Sequence, residues 1–266
     1  MKDITIGVIG CGNMGSAIVR GMADNSIVPP GRIFLYDKDA HKAQALSDET
    51  GAHMKGMEGL LRDSSLLLVA VKPQDSGALL KEIAPYIEEQ TLVSIMAGVT
   101  IDRIISLLGR QLPVARAMPN LAAFVSQSMT CIACNELVKD REPVEALFSS
   151  VGKVMEVSEQ EMDAVTALSG SGPAYLFYLA DAMAGAGIKA GLSEGTAKRL
   201  ATQTIAGSAA YLAESGEDPS ALVNKVASKG GTTEAALRVF GEEGLKDIVQ
   251  KAVMAAKKRS EEISGS

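Results

Sequence analysis

One stretch constrains this chain more than any other: Ile4-Thr5-Ile6-Gly7-Val8-Ile9-Gly10-Cys11-Gly12-Asn13-Met14-Gly15. Its first half is mostly β-branched and aliphatic and carries no charge, so it reads as a buried strand. Its second half is a glycine turn, Gly10-x-Gly12-x-x-Gly15, and a helix-like run over 16–22 follows. Strand, glycine turn and helix in that order give the glycines a dinucleotide-binding context. Gly10 permits the tight turn, Gly12 lets the backbone approach a pyrophosphate, and Gly15 lets the helix sit close on the strand. The free N–H groups at the helix start, around Asn13 and Met14, then face an anion.

The rest of the first half alternates. Strands are expected at 32–36, 66–71, 91–96, 113–117 and 153–157, with a weak one near 52–54 and another around Cys131 and Cys134. Helices are expected over 39–51, capped by Asp39 and stopped by Gly51, and over 79–84, 101–108 and 141–150. Such alternation predicts a doubly wound parallel sheet of the Rossmann type, with right-handed crossovers. Ligands in such sheets bind beyond the carboxyl ends of the strands. The segments there are Gly10-Cys11-Gly12, Asp37, Val71-Lys72-Pro73, Ala97-Gly98 and Met118-Pro119-Asn120, which should line one rim. Asp37 stands where an acid accepts hydrogen bonds from ribose hydroxyls, and Lys38 beside it could offset repulsion of a 2′-phosphate.

From about Glu159 no convincing strand appears. Small residues and leucine recur at helical spacing, as in Ala180, Met183, Ala184 and Gly187. The expected domains are 1–158, dinucleotide-binding, and 159–266, all-helical. The helical part is a modest core alone, which favours burial against a second subunit over a self-contained bundle.

Composition narrows the function classes. A net charge of −6 argues against a broad nucleic-acid face, and 4% aromatic residues without tryptophan argue against base-stacking platforms. The apolar run 66–71 is far too short to span a membrane. A strand starting near Ile4 leaves no room for a targeting segment, so a reducing, cytoplasmic setting is expected. Cys131 and Cys134 sit at an odd offset on a strand, hence on opposite faces, and no metal site is expected.

Two loops in the helical part carry chemistry. Ser169-Gly170-Ser171-Gly172-Pro173-Ala174-Tyr175 reads as a helix start, with glycines flanking Ser171 for close approach of backbone or ligand. Ser228-Lys229-Gly230-Gly231-Thr232-Thr233 opens a helix whose N–H groups suit a carboxylate or phosphate, or make an ordinary capped turn.

These blocks, with Ala70-Val71-Lys72-Pro73, Ala97-Gly98-Val99-Thr100 and Arg116-Ala117-Met118-Pro119-Asn120, resemble pyrroline-5-carboxylate reductases end to end. The resemblance implies a Rossmann domain followed by an all-helical dimerisation domain. It implies reduction of 1-pyrroline-5-carboxylate to L-proline by NADH or NADPH. It further implies that the segment 228–233 holds the substrate carboxylate, and that the chain forms a homodimer, or a decamer of dimers as in some members. On this reading Ser228 and the N–H groups of Gly230, Gly231, Thr232 and Thr233 grip the carboxylate, the Thr233 hydroxyl meets the imine nitrogen, and Ser171 joins the substrate site. Two positions depart from the family: Lys229, where proline is usual, and Glu234, where an aliphatic residue is usual. Glu234 is expected to turn outward, because inward it would repel an anion. A β-hydroxyacid dehydrogenase, which needs a catalytic lysine, and a non-catalytic dinucleotide-binding regulator are the alternative readings.

Overall fold

The computed structural model describes residues 4–265. Its first compact unit runs to Ser171 and includes the residues from Ala256 on; the second is Gly172–Ala255. The loss of strands after Glu156 and the change in packing after Ser171 are thus separate boundaries.

The first unit is built on eight strands, β1 (Ile6–Ile9), β2 (Ile33–Tyr36), β3 (His53–Met54), β4 (Leu66–Val69), β5 (Thr91–Ser94), β6 (Val114–Met118), β7 (Ser128–Cys134) and β8 (Gly152–Glu156). They form one sheet in the order β3-β2-β1-β4-β5-β6-β7-β8. Strands β1 to β6 pair in parallel, which is the doubly wound order and the expected Rossmann fold. Strand β7 departs from it by running antiparallel to β6, with β8 parallel to β7. The link from β6 to β7 holds only a 3-10 turn, Leu121–Val125, too short for the crossover that parallel pairing requires.

The crossovers are α1 (Asn13–Asp24), α2 (Ala40–Thr50), α3 (Met57–Asp63), α4 (Ser76–Ile83), α5 (Ile101–Leu108) and α6 (Glu142–Ser149). Asp39 caps α2 by accepting from the N–H of His41, and Gly51 ends it in the left-handed region at φ 76°. Helices cover both faces, so β1 and β4 are buried throughout. Ile6 and Val8 pack with Ile18, Val19 and Met22 of α1 and Phe148 of α6 on one side. Ile9, Leu67 and Val69 pack with Leu60, Leu80 and Ile104 on the other. On β7, Cys131 is buried and Cys134 half-buried, and their offset puts them on opposite faces.

A short helix α7 (Met162–Val165) continues into a π-helical turn, Thr166–Gly170, and then into α8 (Gly172–Lys189). The segment expected to be a loop before a helix start is therefore already helical. Pro173 has no N–H to give to the carbonyl four residues back, and the chain widens there. The N–H of Ser171 bonds the Thr166 carbonyl at 2.8 Å instead.

The second unit holds α8, α9 (Glu194–Ser215), α10 (Pro219–Val226), α11 (Thr232–Glu242) and the first part of α12 (Leu245–Ser264). A Cβ on Gly187 of α8 would lie 3.1 Å from the Ala197 Cβ of α9, so small residues set this close crossing. Little of the unit is buried within one chain. Phe177 is 60% and Tyr178 80% exposed, with Leu176 and Leu179 beside them. A helix that exposes large apolar side chains on several sides marks an interaction surface. Among the described residues no helix is long and apolar enough to cross a membrane.

Candidate functional site

The glycine turn has the geometry its spacing predicts. Gly10 has φ 105°, and a Cβ there would lie 2.7 Å from the Ala70 carbonyl oxygen. A Cβ on Gly15 would lie 2.1 Å from the Gly10 carbonyl oxygen, so only glycine lets α1 sit this close to β1. A Cβ on Gly12 would meet nothing within 4 Å, so its backbone faces open space. Gly12 is the N-cap of α1, with no side-chain cap and no acid in the first turn. The N–H groups of Asn13 and Met14 have no intrahelical partner at such a start. An open, uncapped helix start behind glycines fits a pyrophosphate.

Parallel strands β1, β2, β4, β5 and β6 end at the same edge, so the five expected segments share one rim. At the end of β2 the Asp37 carboxylate accepts the Cys11 N–H at 2.7 Å and the Asp39 N–H at 2.9 Å. This holds the acid against the glycine turn, where a ribose would lie in a dinucleotide fold. Lys38 is 81% exposed on its side chain and reaches Asp75 at 3.5 Å, a weak surface pair that leaves the ammonium accessible. Past β4, Val71 packs on the core, Lys72 is exposed, and Pro73 opens a 3-10 turn that ends at Asp75.

Past β5, Gly98 is buried with φ 73° and Ala97 is half-buried. Past β6, Asn120 is a junction: its Oδ1 accepts the Ala122 N–H, its N–H donates to Ser128 Oγ, and its Nδ2 donates to Ser169 Oγ, each at 3.1 Å. A Cβ on Gly170 would lie 3.4 Å from Met118 Sδ. The π turn carrying Ser169 and Gly170, with Ser171 next, therefore packs on the end of β6. Ser171 is the expected substrate residue of this turn, and the neighbouring Ser169 is the side chain tied to Asn120.

Cys11 lies inside the glycine turn. Burial, and then the Asp37 charge, push its thiol from the ordinary 9.0 up to about 12. It stays protonated at neutral pH and is no nucleophile. Among the described residues no three His, Cys, Asp or Glu side chains cluster as metal ligands. His41 lies in α2 and His53 on the edge strand β3.

The segment 228–233 has its own anion-binding geometry. Gly230 has φ 72°, and the Gly231 N–H donates to the Ser228 carbonyl at 3.0 Å. A Cβ on Gly231 would lie 2.5 Å from Ser228 Oγ, so the hydroxyl rests directly on that glycine. Gly231 is the N-cap of α11 and has no side-chain cap. The N–H groups of Thr232 and Thr233 therefore lack intrahelical partners. Lys229 is exposed.

Glu234 does not turn away from this loop. Its Oε2 accepts the Gly230 N–H at 2.5 Å, so the carboxylate folds back over the helix start while remaining exposed. Two forces favour this over the outward rotamer: the unpaired N–H and the positive end of the helix dipole.

A brace that no motif marks lies behind the rim. Arg116 of β6, 3% exposed on its side chain, pairs with Glu159 at 3.5 Å, and Glu159 accepts the Ile101 N–H at 2.7 Å. A lone charge in an otherwise apolar strand was the available signal.

Comparison with known proteins agrees with this geometry. Residues 159–263 match a family model described as pyrroline-5-carboxylate reductase dimerisation. Residues 5–98 match one described as NADP oxidoreductase, coenzyme F420-dependent. The chain is 37% identical to pyrroline-5-carboxylate reductase of Escherichia coli, over 98% of each chain. Its fold is similar to that of a pyrroline-5-carboxylate reductase from Coxiella burnetii, with a TM-score of 0.92, 33% identity and 98% of each chain covered. It is also similar to the Plasmodium falciparum pyrroline carboxylate reductase with NADP bound, with a TM-score of 0.88, 31% identity and 99% of each chain covered. These relatives favour neither a β-hydroxyacid dehydrogenase nor a non-catalytic regulator. With its Rossmann unit, its helical unit and this similarity along its whole length, the chain belongs to the pyrroline-5-carboxylate reductase family.

Proposed function

We propose that this protein reduces 1-pyrroline-5-carboxylate to L-proline with NAD(P)H, the last step of proline biosynthesis. The observation that carries the proposal is the uncapped start of α11 behind Ser228 and two glycines, which offers unpaired N–H groups to a carboxylate.

Bound NAD(P)H supplies a hydride to the imine carbon, and the ring nitrogen carries a proton taken from water. The protein's part is then to bind and orient. The N–H groups of Thr232 and Thr233 and the Ser228 hydroxyl hold the carboxylate, while the Gly230 N–H is taken by Glu234 and the Gly231 N–H by the Ser228 carbonyl. The Thr233 hydroxyl hydrogen-bonds the nitrogen, and Ser171 borders the substrate. Gly10, Gly12, Asn13, Met14 and Gly15 cradle the pyrophosphate. Asp37 accepts from ribose hydroxyls, while Lys38 is free enough to meet a 2′-phosphate. The segments 71–73, 97–98 and 118–120 line the rest of the cofactor site. Residues 1–158 serve the dinucleotide, and 159–266 serve dimerisation and substrate.

The exposed apolar side chains of the second unit support a homodimer, and the biosynthetic role suits the cytoplasm. The proposal requires the carboxylate loop and the nicotinamide to meet, within one chain or across the dimer. Loss of dihydronicotinamide absorbance with racemic 1-pyrroline-5-carboxylate, followed separately for NADH and NADPH, tests it. Turnover with at least one cofactor and proline as product are expected; no turnover with either refutes the proposal.

A further inference from the structure

The loop between β5 and α5 has no regular structure, yet it is held at both ends. At its start, Gly98 takes φ 73°, and a Cβ there would lie 2.5 Å from Ile263 Cγ2 and 3.3 Å from the Ile263 carbonyl carbon. The place of a side chain at 98 is filled by Ile263, in the last turns of α12. At the loop's other end, the Ile101 N–H donates to Glu159 at 2.7 Å.

The turn that carries Ile263 is itself anchored. Ser260, 4% exposed, donates from Oγ to Asp163 Oδ1 at 2.6 Å. Ser264 donates to the same oxygen at 3.2 Å. Glu159 and Asp163 are four residues apart, so one short segment grips the rim loop with one carboxylate and the C-terminal turn with the other. Glu159 is fixed in turn by the buried Arg116.

We infer that Ile263 is a positioning residue for the dinucleotide. It walls the 97–100 loop from behind and keeps it in the conformation that meets the cofactor. The inference rests on reading Ala97 and Gly98 as cofactor contacts. A glycine in the left-handed region has the widest conformational freedom of any residue, and a loop that must present backbone to a ligand needs support from packed neighbours. Val99 and Ile101 root the loop in the core, while Ile263 at Gly98 and the 159–163 segment at Ile101 brace it from outside. Loss of these braces costs cofactor binding before it costs chemistry, because none of them belongs to the proposed substrate site.

The experiment is dinucleotide binding, followed by dihydronicotinamide fluorescence, together with amide hydrogen exchange over 97–101. Ile263→Ala is expected to weaken NAD(P)H binding about tenfold and to raise exchange at 98–101. Its kcat and imine KM should stay near those of the unaltered protein, and Ile263→Leu should restore binding to within about twofold. The double variant Ser260→Ala with Ser264→Ala, which removes both anchors without opening the core, is expected to act in the same direction. Unchanged exchange and unchanged binding in both variants overturn the inference. Faster exchange with unchanged binding overturns the reading of the loop as a cofactor contact, and the inference with it.

Discussion

Two helices in this protein, α1 and α11, start in the same way and are held in place differently. Each begins behind a glycine in extended conformation, without a side-chain cap. At α1 the start is locked by the core: Gly15 abuts the Gly10 carbonyl, Gly10 abuts Ala70, and β1 is buried throughout. At α11 the described contacts at the start are local: the Ser228 hydroxyl over Gly231, the Gly231 N–H on the Ser228 carbonyl and the Glu234 carboxylate on Gly230. The first cradle is therefore preorganised by the same packing that stabilises the fold. The second is adjustable by single side chains at little cost to stability. A fold can thus keep its cofactor site rigid and leave substrate affinity open to tuning.

The strongest test of this contrast is at Gly15. With 2.1 Å between a new Cβ and the Gly10 oxygen, Gly15→Ala must push α1 off the strand. It should destabilise the protein by about 3 kcal/mol and abolish dinucleotide binding, read by thermal melts and fluorescence titration. Next comes Thr233→Ala, which should leave the melting temperature unchanged. It should cut kcat/KM for the imine by about 10- to 100-fold, the worth of one hydrogen bond made to the reacting nitrogen. Equal damage to NAD(P)H binding would break the contrast.

A smaller effect, of opposite sign, is expected at Glu234. Glu234→Gln removes a negative charge beside the carboxylate site and keeps an acceptor for the Gly230 N–H. It should lower the imine KM by about threefold to fivefold, since like charges a few ångströms apart at an exposed site repel by about 1 kcal/mol or less. A raised KM would show that the carboxylate braces the loop rather than opposing the substrate.

The smallest effect concerns Cys11. Its thiol is raised from 9.0 to about 12, so the folded state keeps a proton that the unfolded chain loses. Its contribution to stability is therefore full below pH 9 and fades as pH rises toward 12. Alkylation of Cys11 near pH 8 should be slow in the folded protein and fast in denaturant. Bound NAD(P)H should slow it further, whereas 1-pyrroline-5-carboxylate alone should not.

Much of this was legible in the sequence where the causes are local. Gly10 and Gly15 announce positions where a Cβ has no room. Asp39 and Gly51 mark the ends of one helix, and the unbroken aliphatic run in β4 marks a strand buried on both faces. Other features depended on groups far apart or on a choice among rotamers. The reversal of β7 follows from the short link after β6, whose 3-10 turn leaves no room for a crossover helix. The π turn before α8 needed the position of Met118 and Asn120 as well as the missing N–H of Pro173. Glu234 folds back because the Gly230 N–H lies within its reach, which spacing alone does not show.

The sequence by itself determined the doubly wound sheet, the dinucleotide turn and the family, because backbone sterics and hydrophobic period act over a few residues. Only the tertiary structure decided what holds the rim in place. Arg116, Glu159, Asp163, Ser260 and Ile263 meet across large separations in the chain, and no local pattern encodes such a contact.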